Sequence, residues 1–240
     1  MAGFDPVGGA GVAADLRAFA AHGTHGAGVV TVLTAQDTVT VHAVRPVPAE
    51  FVAAQLDAVL ADLPVAAVKT GMLGSAEVVA LIASRRLPAL VVDPVLVSRT
   101  GQALFGPEVV AAYRDLLPAA AVVTPNAREA SLLTGRPVST VDEAVVAAGL
   151  LGARCAVITG GVLGGVDVDW ADGSVRLLAR NWVDTTNTRG SGCTFAAVVA
   201  ARLAHGDAVT DAVDAAKEHV TRALRASAAW RLGAGPGPLA

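Results

Sequence analysis

Five short apolar runs, rich in valine and alanine, punctuate the first two thirds of the chain, at 29–33, 66–69, 90–93, 121–124 and 156–159. Each is nearly continuous and stops at a polar residue or a turn signal. A strand with one wet face alternates polar and apolar residues; a strand that does not alternate is covered on both faces. Between and around these runs lie stretches with helical spacing, at 10–22, 48–63, 75–86, 107–117, 127–134 and 140–151. Several open with start signals: Ser75 ahead of Glu77, Pro107 at a first helical position, and Thr140 ahead of Asp142 and Glu143. Such alternation predicts an α/β fold, a three-layer α/β/α sandwich around a mainly parallel central sheet.

Beyond residue 159 the pattern changes. Runs at 166–170 and 174–178 flank Asp172-Gly173 and read as a small antiparallel β-hairpin. Two helices follow, at 191–204 and 208–229, and the closing GAGPGPLA reads as a flexible terminus. No repeat or linker interrupts the chain, so residues 1–240 read as a single domain. The chain opens almost on a glycine-rich loop. In α/β folds a strand precedes such a loop, and here only Met1 and Ala2 stand where it would be.

The chain has 240 residues, 53% of them hydrophobic and 16% charged, which excludes a disordered chain. A net charge of −3 argues against nucleic acid and anionic membrane as partners, since both call for basic patches. Cys155 and Cys193 have no CxxC spacing, and the five histidines show no zinc spacing. A cytoplasmic, reducing setting is the expectation. Apolar runs break well before 18 residues, so no membrane span is expected, and the first residues lack a signal-peptide pattern.

Three stretches can carry chemistry. In GFDPVGGAGVAADLRAF, Gly8, Gly9 and Gly11 stand just before a helix. Backbone there can approach an anion closely, or can simply turn tightly. In TPNAREA, Asn126 and Glu129 share a face at the end of a strand. They suit a hydrated Mg²⁺ beside phosphates, and equally an ordinary helix cap, which is the plainer reading. In NTRGSGCTFAA, Gly190, Ser191, Gly192 and Cys193 run straight into a helix. Its first N–H groups would form an anion hole, and a thiol there would have its pKa lowered. Cys193 as small buried filler remains open on spacing alone.

Taken together, the motifs resemble the ribokinase-like superfamily. More closely, they resemble the hydroxymethylpyrimidine/phosphomethylpyrimidine kinases of thiamine biosynthesis. The resemblance spans essentially the whole chain, through AGFDPVGGAGVAADLRAFAAHG, TVLTAQDT, VKTGMLGS, VVDPVLVSRTG, VTPNAREA and GSGCTFAA. It implies ATP-dependent phosphorylation of a primary alcohol on a small-molecule pyrimidine, with Mg²⁺, by a homodimer. It assigns Cys193 as base or proton guide, with Gly190, Ser191 and Gly192 as the anion hole. Asn126 and Glu129 match the pair that organises nucleotide phosphates and metal, and Asp93 matches the aspartate near that metal. Thr159 and Arg99 fall beside the nucleotide phosphates. Gly3, Asp5, Gln36, Met72 and Val95 fall around the substrate, with Gln36 reading the aminopyrimidine edge.

Departures cluster at the same places. Phe4 and Val7 stand where the family has serines. TGGV at 159–162 replaces KGGH, and Arg189 replaces a histidine. These leave room for a kinase retuned to pyridoxal or a modified pyrimidine, or for a relative that binds without catalysis. Lys69 closes a strand beside Gly71 and Met72, as a site residue or as a buried lysine with a partner.

Overall fold

A computed structural model describes residues 1–98, 101–179 and 183–240. The expected parallel strands form in order: β4 (Val68–Thr70), β5 (Leu90–Val92), β6 (Val122–Val123) and β7 (Cys155–Ile158). They lie side by side in that order and run parallel. The hairpin β8 (Asp167–Ala171) and β9 (Ser174–Leu178) extends the sheet antiparallel from β7.

The unbroken valine runs have their expected cause. Leu90, Val92, Val123 and Ile158 point to one apolar core, packed by α2 (Ala49–Asp62), α3 (Ala76–Ala83), α4 (Pro107–Leu116), α5 (Ala127–Thr134) and α6 (Val141–Leu150). The alternate residues Val91, Val122, Cys155 and Val157 point to a second core, packed by α1 (Gly11–Ala21), α7 (Ser191–Ala204) and α8 (Val209–Ser227). Period-two alternation thus feeds two helical layers, the three-layer sandwich expected. α7 lies against both the sheet and α8, and its buried stretch from Thr194 to Ala201 is mostly alanine and valine, small enough for close approach on several sides.

A smaller sheet holds β1 (Ala2–Phe4), β2 (Val30–Gln36) and β3 (Val41–Pro46). β1 is parallel to β2, and β3 returns antiparallel. β3 was not anticipated: all six residues are exposed, so no burial pattern marked it. The residue ahead of β1 touches the main sheet. The Met1 carbonyl accepts from Gly71 N at 2.9 Å, beside the end of β4.

The terminal GAGPGPLA is not loose. Gly235 N donates to Thr38 Oγ1 at 3.0 Å, Gly237 N to Asn187 Oδ1 at 3.0 Å, and Leu239 is 5% exposed. Glycine and proline suit an extended segment here because the neighbours leave no space: a Cβ on Gly235 would overlap the Thr38 carbonyl. His22 and His219 are half-buried, with ring nitrogens 3.1 Å apart where α1 meets α8.

Candidate active site

In an open α/β sheet, ligands bind outside the carboxyl ends of the strands. Thr70 ends β4, Asp93 follows β5, Thr124 follows β6 and Thr159 follows β7. Backbone bonds align them: Asp93 N donates to Thr70 O, Thr124 N to Val92 O and Thr159 N to Pro125 O, each at 2.9 Å. Thr70 Oγ1, Asp93 Oδ2 and Thr124 Oγ1 are buried without a hydrogen-bond partner among the described residues. Orphaned oxygens cost free energy wherever they are dry. Three along one strand edge mark a place built for something polar.

The glycine-rich loop folds around Asp5. Its carboxylate, 2% exposed, accepts from Val7 N at 3.0 Å, Ala10 N at 3.1 Å and Arg189 Nε at 3.0 Å. Asp5 is therefore committed to shaping the loop. Gly11 opens α1 with φ +59°, and a Cβ there would overlap the Gly3 carbonyl. Gly190 precedes α7 with φ +80°, and a Cβ there would overlap the Gly9 carbonyl. Two loops far apart in sequence thus meet backbone to backbone. Above the first turn of α7 there is space: Gly192 is exposed, and a Cβ on it would meet nothing within 4 Å.

Cys193 lies beneath that turn, close enough to Asp93, Asp15 and Lys69 for their charges to act on its thiol. The expected lowering of its pKa does not hold. Burial pushes the thiol up to about 12, and the Asp93 and Asp15 charges add to the rise, against the pull of Lys69 and the Gly11 N–H. Desolvation outweighs the helix start, so the ligand-free protein carries a neutral thiol.

Asn126 and Glu129 are brought together as a capping box. Asn126 Oδ1 accepts from Arg128 N and Glu129 N, both at 3.0 Å, and Glu129 Oε2 accepts from Asn126 N at 2.9 Å. The plainer reading of this pair is therefore met. It does not exhaust Glu129, which is 4% exposed and also accepts from Leu96 N at 3.3 Å. Burial and the nearby Asp93 charge raise its pKa to about 8. Burial likewise raises Asp93. Each carboxylate makes the other harder to ionise, and a cation between them would reverse that.

Residues expected around the substrate divide. Gly3 and Met72 are adjacent: a Cβ on Gly3 would come 2.6 Å from Met72 Cε. Thr31 Oγ1 holds Met72 in place by donating to its carbonyl at 2.6 Å. Val95 is half-buried just past Asp93. Gln36, half-buried at the end of β2, stands four residues beyond Val32, the partner of Gly3, or about 13 Å along the strand. Phe4 and Val7 are 42% and 37% exposed beside this region. Arg99 lies outside the described residues. One site residue escaped the sequence reading. Asp15 is buried on the apolar face of α1 and pairs with Lys69 at 2.8 Å. An aspartate on the stripe of Val12, Ala14 and Ala18 was the signal for it.

Comparison with known proteins agrees with this geometry. The family model described as phosphomethylpyrimidine kinase matches residues 5–240. The chain is 44% identical to the hydroxymethylpyrimidine/phosphomethylpyrimidine kinase of Synechococcus elongatus, across 100% of this chain and 94% of that protein. It is 42% identical to the thiamine biosynthesis bifunctional protein of Geobacter sulfurreducens, across 100% of this chain and 51% of that one. Among solved structures, the ADP complex of Bacillus subtilis pyridoxal kinase superposes with a TM-score of 0.92 at 38% identity, covering 99% of this chain and 94% of that chain. The chain belongs to the phosphomethylpyrimidine kinase family, on a ribokinase-like fold.

Proposed function

We propose that this chain, acting as one cytoplasmic kinase domain, transfers the γ-phosphoryl of ATP to the hydroxymethyl group of 4-amino-5-hydroxymethyl-2-methylpyrimidine, and then to the resulting monophosphate, in thiamine biosynthesis. The observation that carries the reading is the meeting of Cys193, Asp93 and the Gly190–Gly192 turn at one strand edge. The family relationship supplies the substrate class.

In this reading the phosphoryl group sits over the first turn of α7, in the space above Gly192. N–H groups of Gly190 and Gly192 face the oxygens on which charge accumulates, while Ser191 N already donates to Thr188 O at 3.3 Å. Asn126 and Thr159 border the nucleotide phosphates. Asp93 and Glu129 would hold Mg²⁺, which neutralises phosphate charge when bound. The fit is chemical: the donors are oxygens, as a hard cation requires, and Asp93 Oδ2 has no other hydrogen bond. Among the described residues no cluster of three or more His, Cys, Asp or Glu forms a closed metal cage. That suits a cation that keeps its waters and leans on phosphates.

Cys193 guides the proton. With a pKa near 12 it is not a stored anion. A loose transition state for phosphoryl transfer asks little of the nucleophile beforehand, so the hydroxyl proton can leave late, to Sγ, as the thiol's own proton passes to the neighbouring Asp93 carboxylate. Gly3, Met72 and Val95 would wall the ring, and Gln36 would match its amine and ring nitrogen.

We further propose a homodimer joined through the smaller sheet. Val41 and Val44 are 52% and 48% exposed on one face of β3, an apolar surface out of place in water. Sedimentation velocity would report a dimer, and a charge at Val44 should dissociate it.

The decisive assay follows ADP release with the pyrimidine alcohol, its monophosphate and pyridoxal in parallel. Turnover with the pyrimidines is the expected result. Turnover with pyridoxal alone would replace the substrate assignment. No turnover alongside ligand-induced thermal stabilisation would mark a binding protein. Cys193→Ala should lower kcat far more than it changes KM.

A further inference from the structure

Beneath the site lies a charge that this chemistry does not use. Lys69 is the middle residue of β4, and its side chain is 1% exposed. Its Nζ donates to both Asp15 oxygens, at 2.8 and 3.0 Å, and stands 3.6 Å from Asp93 Oδ2. Asp15 comes from α1, four residues after Gly11, with its side chain 5% exposed. Gly71 leaves the ammonium its space, since a Cβ there would sit 3.0 Å from Nζ. Cys193, whose thiol feels the charges of Lys69, Asp93 and Asp15, completes the cluster.

A simple ion pair accounts for Lys69 and Asp15, which satisfy each other. It leaves Asp93 over. Among the described residues Asp93 Oδ2 makes no hydrogen bond, and its ionic neighbour is Lys69 at 3.6 Å. A dry carboxylate oxygen without a donor is held in place by charge or not at all. Lys69 cannot turn elsewhere, because Asp15 grips two of its three protons. A fixed cation therefore stands beside the carboxylate that neighbours the Cys193 thiol.

We propose that Lys69, clamped by Asp15, is a positioning residue of the phosphoryl-transfer site: it aims Asp93 and, through Asp93, the Cys193 thiol. Lys69 touches neither nucleotide nor alcohol and moves no proton. The inference rests on the kinase reading above and names a component of that same site.

The competing account is that Lys69 only neutralises Asp15. A pair of variants separates the two. Lys69→Met alone strands a buried Asp15 and loses stability whichever account holds. Lys69→Met combined with Asp15→Leu removes both charges, and buried ion pairs replaced by apolar residues of similar volume often hold stability or gain it. Lys69→Met with Asp15→Asn is the second double variant, for use if leucine packs badly.

The expected result is a double variant whose Tm returns to within a few degrees of the parent, while kcat stays down about tenfold or more and both KM values change less than about threefold. Crystal structures of the parent and the double variant should show Asp93 Oδ2 displaced. Recovery of kcat together with Tm, or an unmoved Asp93, would overturn the proposal. If the parent turns over none of the alcohols, the kinase reading fails by itself, and the position of Asp93 in the two structures still decides the role of Lys69.

Discussion

Arg189 Nε meets Asp5 Oδ2 at 3.0 Å across 184 residues of sequence, and the two side chains are 16% and 2% exposed. The arginine, which stands where the family resemblance leads one to expect histidine, thereby ties the glycine-rich loop to the turn that starts α7. Removing one partner of a pair this dry leaves the other uncompensated. Arg189→Ala should cost about 3 kcal/mol in urea unfolding. Asp5→Asn, which keeps a carbonyl for the loop N–H groups, should cost less.

Glu129 links stability to pH. Its pKa rises from 4.5 to about 8 on folding, because of burial and the Asp93 charge. Between these values the folded chain keeps a proton that the unfolded chain has released. Stability of the ligand-free protein therefore falls as pH rises through about 5 to 8, by no more than about 1.4 kcal/mol per pH unit for one proton. Asp93, also raised, acts in the same direction. Denaturation midpoints across that range should show the slope, and Glu129→Gln should flatten it.

Two glycines of one turn should answer differently. Gly190→Ala puts a side chain at φ +80° and into the Gly9 carbonyl. The backbone strain alone costs about 1–2 kcal/mol, and the overlap adds to it, so Tm should drop by several degrees. Gly192→Ala meets open space. Tm should hold, while kcat falls about tenfold or more because a methyl group intrudes on the phosphoryl site.

Gln36→Ala tests how the ring is read. Loss of a matched hydrogen bond of about 1.4 kcal/mol raises KM for the pyrimidine alcohol about tenfold. KM for ATP should not change. An equal rise in both would make Gln36 a structural residue of β2.

Asn187 anchors the carboxyl-terminal segment. It donates to Ser227 O at 2.7 Å and Trp230 O at 3.1 Å, and accepts from Gly237 N at 3.0 Å. Asn187→Ala strands buried groups on both sides and should cost about 2–3 kcal/mol. Limited proteolysis should then cut near residue 233, a site resisted by the parent.

What was legible in the residues follows a physical divide. Strands β4 to β7 were legible because burial on both faces writes itself as unbroken apolar runs. α5 and α6 were legible from their caps, which need only local partners: Asn126 with Glu129, and Thr140 with Glu143. β3 was not, since a fully exposed strand has no burial pattern to show. The closing segment was misread because glycine and proline signal freedom or tight docking equally well. The Lys69–Asp15 pair bridges 54 residues, and no periodicity links its ends. Cys193 was found through the motifs, but its thiol was expected to be acidic. The helix start was visible in the sequence; the burial that outweighs it was not.

The overlap that a side chain at Gly190 would make with Gly9 has a consequence for anyone re-engineering this scaffold. Residues 3–11 and 187–193 behave as two halves of one lock, cut to each other's backbone. A loop transplanted from a relative brings its own half and meets the wrong counterpart. Successful grafts have to exchange the halves as a matched set.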